Sequence, residues 1–211
     1  MNEPARDDEF LDDPRPMLVI ISGPSGVGKD TIIEALHRRK HRPPYHYVVT
    51  CTTRARRPGE IDGVSYRFLT MEGFEALRDA GELLEANEVH GHWYGTPRAG
   101  VRDALARGQH AILKIDVQGA QVVKSRIPDA LLIFVVPPSL ETLFQHLKAR
   151  RTESADELEL RQRNAALELA RKDDYDHVVV NEEGDVDRTA ERIDEIISHE
   201  ERRESRGPVT V

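Results

Sequence analysis

The feature that most constrains this chain is a glycine-rich run of Gly23, Pro24, Ser25, Gly26, Val27, Gly28 and Lys29, set directly after the apolar stretch 17–21. A continuous β-branched run stopped by Gly23 and Pro24 predicts a strand buried on both faces of a parallel sheet. Beyond Lys29, the spacing of Ile32, Ile33 and Leu36 predicts a helix over 30–39 with one apolar face. Strand, glycine loop and helix in that order make an anion cradle. The glycines let successive backbone N–H groups turn inward around a phosphate, the helix N-terminus adds positive potential, and Lys29 adds a mobile cation. The run fills the first seven positions of the P-loop pattern, which predicts ATP binding through residues 23–31. The eighth position, where Ser or Thr usually meets Mg²⁺, holds Asp30, with Thr31 next. Either Asp30 binds the ion, directly or through water, or Asp30 caps the helix and Thr31 serves the metal.

The rest of the chain repeats the alternation. Buried-strand runs recur at 110–115, 131–136 and 177–180, with a shorter one at 47–50. Helical patterns cover 139–150, with Ser139 as N-cap, and also 157–172 and 186–201. Alternating strands and helices predict an α/β fold, a P-loop NTPase-type parallel sheet flanked by helices. Residues 50–97 are polar and glycine-marked and read as an inserted lobe, with Trp93 packing inside it. The charged segment 148–163 reads as a mobile flap.

Composition excludes several classes. No apolar run approaches the ~20 residues a membrane span needs. The N-terminus has neither the basic start nor the apolar stretch of a signal peptide, so a cytoplasmic protein without membrane partners is expected. A formal net charge of −8 argues against a general nucleic-acid binder. The single Cys51 rules out an internal disulfide. The histidines at 41, 46, 90, 92, 110, 177 and 199 lack metal-ligand spacing and are expected mainly at the surface.

A second anion site is written at 50–66, where Arg54, Arg56 and Arg57 stand among hydroxyls, glycines and Pro58, followed by Tyr66. Arginine holds a phosphate bidentately and a tyrosine hydroxyl adds a donor. Glu60 within this basic cluster either neutralises its arginine neighbours or touches the ligand.

These residues carry a resemblance. Thr52, Thr53, Arg54, Arg57, Gly59, Glu60, Gly63 and Tyr66 follow the TTRxxRxGExxGxxY pattern of the guanylate kinase family. Glu85 with Tyr94, Gly95 and Thr96 forms a second block, and Ile115, Asp116, Gln118 and Gly119 match its IDxQG segment. The chain resembles that family over residues 16–197, which implies transfer of the γ-phosphoryl group of ATP to GMP with Mg²⁺. The implied domain runs over 16–200, with a core of 16–49, 101–138 and 166–200, a GMP-binding lobe at 50–100 and a lid near 139–165. Residues 1–15 are expected as a disordered leader and 201–211 as a polar tail.

The resemblance also implies roles. Arg54, Arg57 and Tyr66 would grip the GMP phosphate with Tyr94 opposite, while Thr50, Glu85 and Thr96 read the guanine. The chemistry agrees: guanine offers N1–H and N2–H₂ as donors, and one carboxylate accepts both. Asp116 would lie near the nucleotides, reaching Mg²⁺ through water. Arg150 and Arg161 match lid arginines acting beside Lys29 and Arg54 in catalysis, and Asn181 matches a residue beside adenine.

Three positions depart from the family pattern. Asp30 replaces Ser or Thr; Lys114 replaces an Asp or Glu two residues before Asp116, where it would pair with Asp116 or reach GMP; His146 replaces a lid arginine. These departures keep a non-catalytic guanylate-kinase-like binding module in view, and the P-loop alone would also suit a sugar-phosphate kinase. Oligomeric state is not encoded in any pattern found.

Overall fold

The structure, a computed structural model, describes residues 15–41, 43–89, 91–149, 155–203 and 209–211. Five parallel strands form the main sheet: β1 (Leu18–Ser22), β2 (Tyr45–Tyr47), β7 (His110–Lys114), β8 (Leu131–Val136) and β9 (His177–Val180), in the order β2-β7-β1-β8-β9. Their residues alternate between two apolar layers. Val19, Ile21, Ile133 and Val135 face α1 (Lys29–His37), α5 (Leu140–Ala149) and α7 (Val186–Glu200), burying Ile32, Leu36, Leu143, Ile193 and Ile197. Leu18, Ile20, Leu113, Leu132 and Phe134 face α3 (Arg98–Ala106) and α4 (Val117–Arg126), burying Val101, Ala104, Ala120 and Val123. Burial on both faces is why these strands read as unbroken apolar runs.

Between β2 and α3 lies a second sheet of β3 (Cys51–Thr52), β4 (Arg67–Phe68), β5 (Leu83–Val89) and β6 (His92–Pro97), in the order β4-β3-β6-β5. Helix α2 (Met71–Asp79) packs Phe74 against Cys51, Leu83 and Trp93 beneath it. Helix α6 (Ala155–Leu169) follows α5 and returns the chain toward the sheet.

Several sequence expectations change in detail. Of the strand expected at 47–50 only Tyr47 lies in one, at the end of β2; residues 48–50 form no strand and connect β2 to β3 in the other sheet, so the apolar pair Val48 and Val49 marks the crossing from core to lobe. Asp30 does not cap α1: Gly28 holds the N-cap position at φ 93° with no side-chain cap, and Asp30 lies in the first turn. A side chain at Gly28 would also meet the Asn181 amide at 2.6 Å. His110 is no surface residue. It is fully buried, accepting from the Met17 N–H at Nδ1 and meeting Glu201 through Nε2, and burial lowers its pKa to about 4. Residues 1–14 of the expected leader, His90 and Arg150 lie outside the described residues. Among the described residues no helix is long and apolar enough to cross a membrane.

Candidate active site

The glycine loop runs from the C-terminal end of β1 into α1, at the edge of the parallel sheet where ligands of such folds bind. Gly23, Ser25, Gly26, Gly28, Lys29 and Thr31 line a cavity of about 360 Å³. Lys29 Nζ donates to the carbonyls of Gly23 at 2.5 Å and Pro24 at 3.0 Å, which folds it back over its own loop. Burial lowers the Lys29 pKa, while Glu168, Asp30 and Asp116 pull it upward. The Thr31 hydroxyl donates to the Gly28 carbonyl, and the Asn181 amide donates to the Val27 carbonyl. Asn181 thereby braces the loop from outside the cavity.

Helix α6 brings two further groups. Arg161 donates to the Ser25 hydroxyl at 2.9 Å, and Glu168 accepts from the Ser25 N–H at 3.1 Å. Burial raises the Glu168 pKa and Lys29 pulls it back. An internal carboxylate thus holds a backbone N–H of the glycine loop. Sequence reasoning missed Glu168; its place seven residues after Arg161, two helical turns along one face, was the available signal.

The opposite wall of the same cavity comes from the lobe and from β7. Thr50, Arg57, Tyr66, Glu85, Tyr94, Lys114 and Asp116 line it. The lobe sheet aligns several of them, since Thr52 pairs with Tyr94 and Cys51 with Gly95 across β3 and β6. Glu85 is almost fully buried and accepts from Thr96 Oγ1 at 2.7 Å and Asn87 Nδ2 at 2.7 Å. Burial raises its pKa to about 7, with Asp116 adding to the rise and the two hydrogen bonds opposing it. Gly119 packs closely beside it, since a Cβ there would stand 3.1 Å from Glu85 Oε2. Asn87 was also missed by sequence reasoning; its spacing of two from Glu85 on a strand puts both on one face.

Some expected contacts fall elsewhere. Arg54 is 8% exposed and forks onto Glu60 at 2.7 and 3.1 Å, with its guanidinium 5.5 Å from the Tyr66 ring centre. Glu60 also accepts from the Arg57 N–H at 2.7 Å, and these partners hold its pKa low against the upward push of burial. Of the two readings for Glu60, this geometry is the neutralising one. Thr96 is fully buried behind Glu85 and spends its hydroxyl on that carboxylate. Asp116 caps α4 by accepting from the Gln118 and Gly119 N–H groups while still lining the cavity.

The departures from the family pattern have partners. Lys114 meets Asp30 at 2.5 Å, not Asp116, and its ammonium lies 5.1 Å from the Tyr66 ring centre. His146 lies over the loop, with Nδ1 3.3 Å from the Gly26 carbonyl and Nε2 3.4 Å from Glu183.

A parallel sheet with a lysine-bearing glycine loop on one side of a cleft and a basic, carboxylate-containing pocket on the other defines a P-loop phosphotransferase of small phosphorylated acceptors. A family model described as guanylate kinase matches residues 15–200. The chain belongs to the guanylate kinase family. It is 45% identical over 170 residues to a guanylate kinase of Symbiobacterium thermophilum, covering 81% of this chain and 80% of that one. It is 42% identical over 188 residues to a chloroplastic/mitochondrial guanylate kinase 2 of rice, covering 89% of this chain but 65% of the relative. The solved guanylate kinase of Anaplasma phagocytophilum superposes with a TM-score of 0.73 at 32% identity, covering 92% and 90% of the two chains.

Proposed function

We propose that this chain transfers the γ-phosphoryl group of ATP to GMP, yielding ADP and GDP. The observation that carries the reading is that the glycine loop with Lys29 and the Arg57, Tyr66, Glu85 and Tyr94 set line one cavity in a member of this family. ATP seats its phosphates on the loop N–H groups and Lys29. GMP seats its phosphate against Arg57, Tyr66 and Tyr94 and its base against Glu85 and Thr50. Such a transfer needs alignment and positive charge more than covalent help from the protein.

Glu85 must be ionised to accept both guanine donors, and Thr96 and Asn87 orient it for that. Adenine lacks the matching donor pair for the carboxylate, which discriminates by orders of magnitude in a site built for hydrogen bonds. Arg54 acts one step back, fixing Glu60 and the loop that presents Arg57. Oxygen donors at the cavity mouth, Asp30, Thr31 and Asp116, suit Mg²⁺, an ion that takes few protein ligands and keeps water and phosphate oxygens. Thr31 donates only its hydroxyl proton, to the Gly28 carbonyl, while Asp30 pairs with Lys114 and Asp116 accepts from two backbone N–H groups. When bound, the ion would neutralise charge on the transferring phosphates. Helices α5 and α6 serve as the lid, and Arg161 is its cationic contribution.

The test is ADP release with GMP, dGMP, AMP and ribose phosphates as acceptors. Turnover confined to guanine nucleotides supports the reading. Turnover only with ribose phosphates would make it a sugar-phosphate kinase, and none at all would leave a binding module.

A further inference from the structure

Two of the three departures from the family pattern, 84 residues apart in the chain, touch each other. Asp30 stands on the first turn of α1 and Lys114 at the end of β7, and they meet at 2.5 Å. Compared with the family pattern, a carboxylate has moved from the strand to the helix and an ammonium has taken its place. The pair as a whole makes the acceptor side one unit more positive than a hydroxyl with an acid would.

Structural tethering is a weak account of this pair. The Asp30 side chain is 71% exposed, and ion pairs at such surfaces contribute little to stability. The lysine, by contrast, is 23% exposed and lines the ligand cavity together with Tyr66 and Arg57. An ammonium has three donors, and one bond to Asp30 leaves others to turn toward an anion.

We propose that Lys114 is an acceptor-phosphate ligand, with Asp30 as the counter-ion that parks it beside Tyr66 until the phosphate of GMP arrives. This rests on the acceptor-site reading above. Arg57 and Lys114 then hold the phosphate dianion from two sides. Asp30 matters for GMP only through Lys114.

The test is calorimetric titration of GMP into the protein without ATP and with a metal chelator, which removes the metal from the comparison. Lys114→Met should weaken GMP about tenfold while leaving ATP affinity within about twofold, and Lys114→Arg should recover most of the loss. Asp30→Asn should leave GMP affinity equal or tighter, and the Asp30→Asn/Lys114→Met double variant should match Lys114→Met alone. Arg57→Ala, measured alongside, separates the two levels of the argument. If Arg57→Ala weakens GMP and Lys114→Met does not, the lysine is only a structural partner of Asp30 and the proposal falls. If neither weakens GMP, the acceptor-site reading falls and takes the proposal with it. Thermal melts guard against misfolding; a melting loss in Lys114→Met with unchanged GMP affinity also counts against the proposal.

Discussion

The two anion cradles proposed for this cavity are built on opposite plans. The donor cradle is backbone: Gly23, Gly26 and Gly28 set N–H groups on a rigid turn between a buried strand and a helix, braced by Asn181 from outside. The acceptor cradle is side chain: Arg57, Tyr66, Tyr94 and Lys114 reach in from a small lobe and from one strand end. A backbone cradle recognises phosphate wherever it comes from, whereas a side-chain cradle can be combined with a base reader such as Glu85. Both keep an internal carboxylate in attendance, Glu168 on the Ser25 N–H and Glu60 on Arg54 and the Arg57 N–H. The difference teaches where specificity resides. On the proposed reading, acceptor choice belongs to the lobe, and phosphate chemistry belongs to the loop.

The sharpest break of this division is Lys29→Ala. Loss of one preorganised charge at the transferring phosphate should lower kcat by about 10² to 10³-fold with GMP affinity unchanged in direct titration. A parallel loss of GMP binding would show that the cradles are not separable. Next in size, Arg57→Ala should weaken GMP by about ten- to a hundredfold and leave the KM for ATP near its starting value. Equal losses for both nucleotides would erase the contrast.

Glu85 sharpens the comparison through pH. Its pKa is raised to about 7, against a usual 4.5, chiefly by burial. The neutral form is therefore favoured in the fold, so this group's contribution to stability is full below about pH 4.5 and is lost as pH rises through about 7. Guanine recognition runs the other way, because only the ionised carboxylate accepts both donors. GMP affinity should fall severalfold between about pH 8 and pH 6, beyond any change in Glu85→Gln, whose guanine-over-adenine preference should be eroded at every pH. A wild-type pH profile identical to that of Glu85→Gln would remove Glu85 from the base-reading role. The smallest effect is expected at Glu168→Gln. Removing a carboxylate that competes with phosphate for the Ser25 N–H and Lys29 should tighten ATP by about two- to fivefold, read by titration with a non-hydrolysable analogue, with GMP unaltered.

The same division explains what the sequence made legible. The loop and its sheet were readable because their signals are local. A β-branched run, glycines and a lysine at fixed spacing force one arrangement, and runs such as 131–136 are apolar throughout because both faces are covered. The lobe was harder. Its strands are short, so 47–50 looked like one strand although the chain crosses there between sheets. Helices α2, α3 and α4 were not anticipated, since α2 and α3 bury only one or two residues each. In the site, residue types were readable and partners were not. Arg54 looked like a ligand-gripping arginine, and only the lobe's folding shows it forked onto Glu60. Thr96 looked like a base reader, and the β5–β6 pairing turns its hydroxyl to Glu85. Glu168 carries no local mark at all, because its meaning comes from α6 returning to a loop 143 residues away. Lys114 and Asp30 each looked anomalous alone, and their contact makes them one feature.

The central claim is that both cradles serve one cavity at the same time. It is tested most directly with adenosine and guanosine joined through five phosphates, titrated into the wild-type protein. The account predicts one tight site per chain, bound far more strongly than ATP or GMP alone because the second contact becomes intramolecular, and competed by each nucleotide separately. Binding no tighter than ATP alone, with GMP still able to enter beside it, would contradict the account.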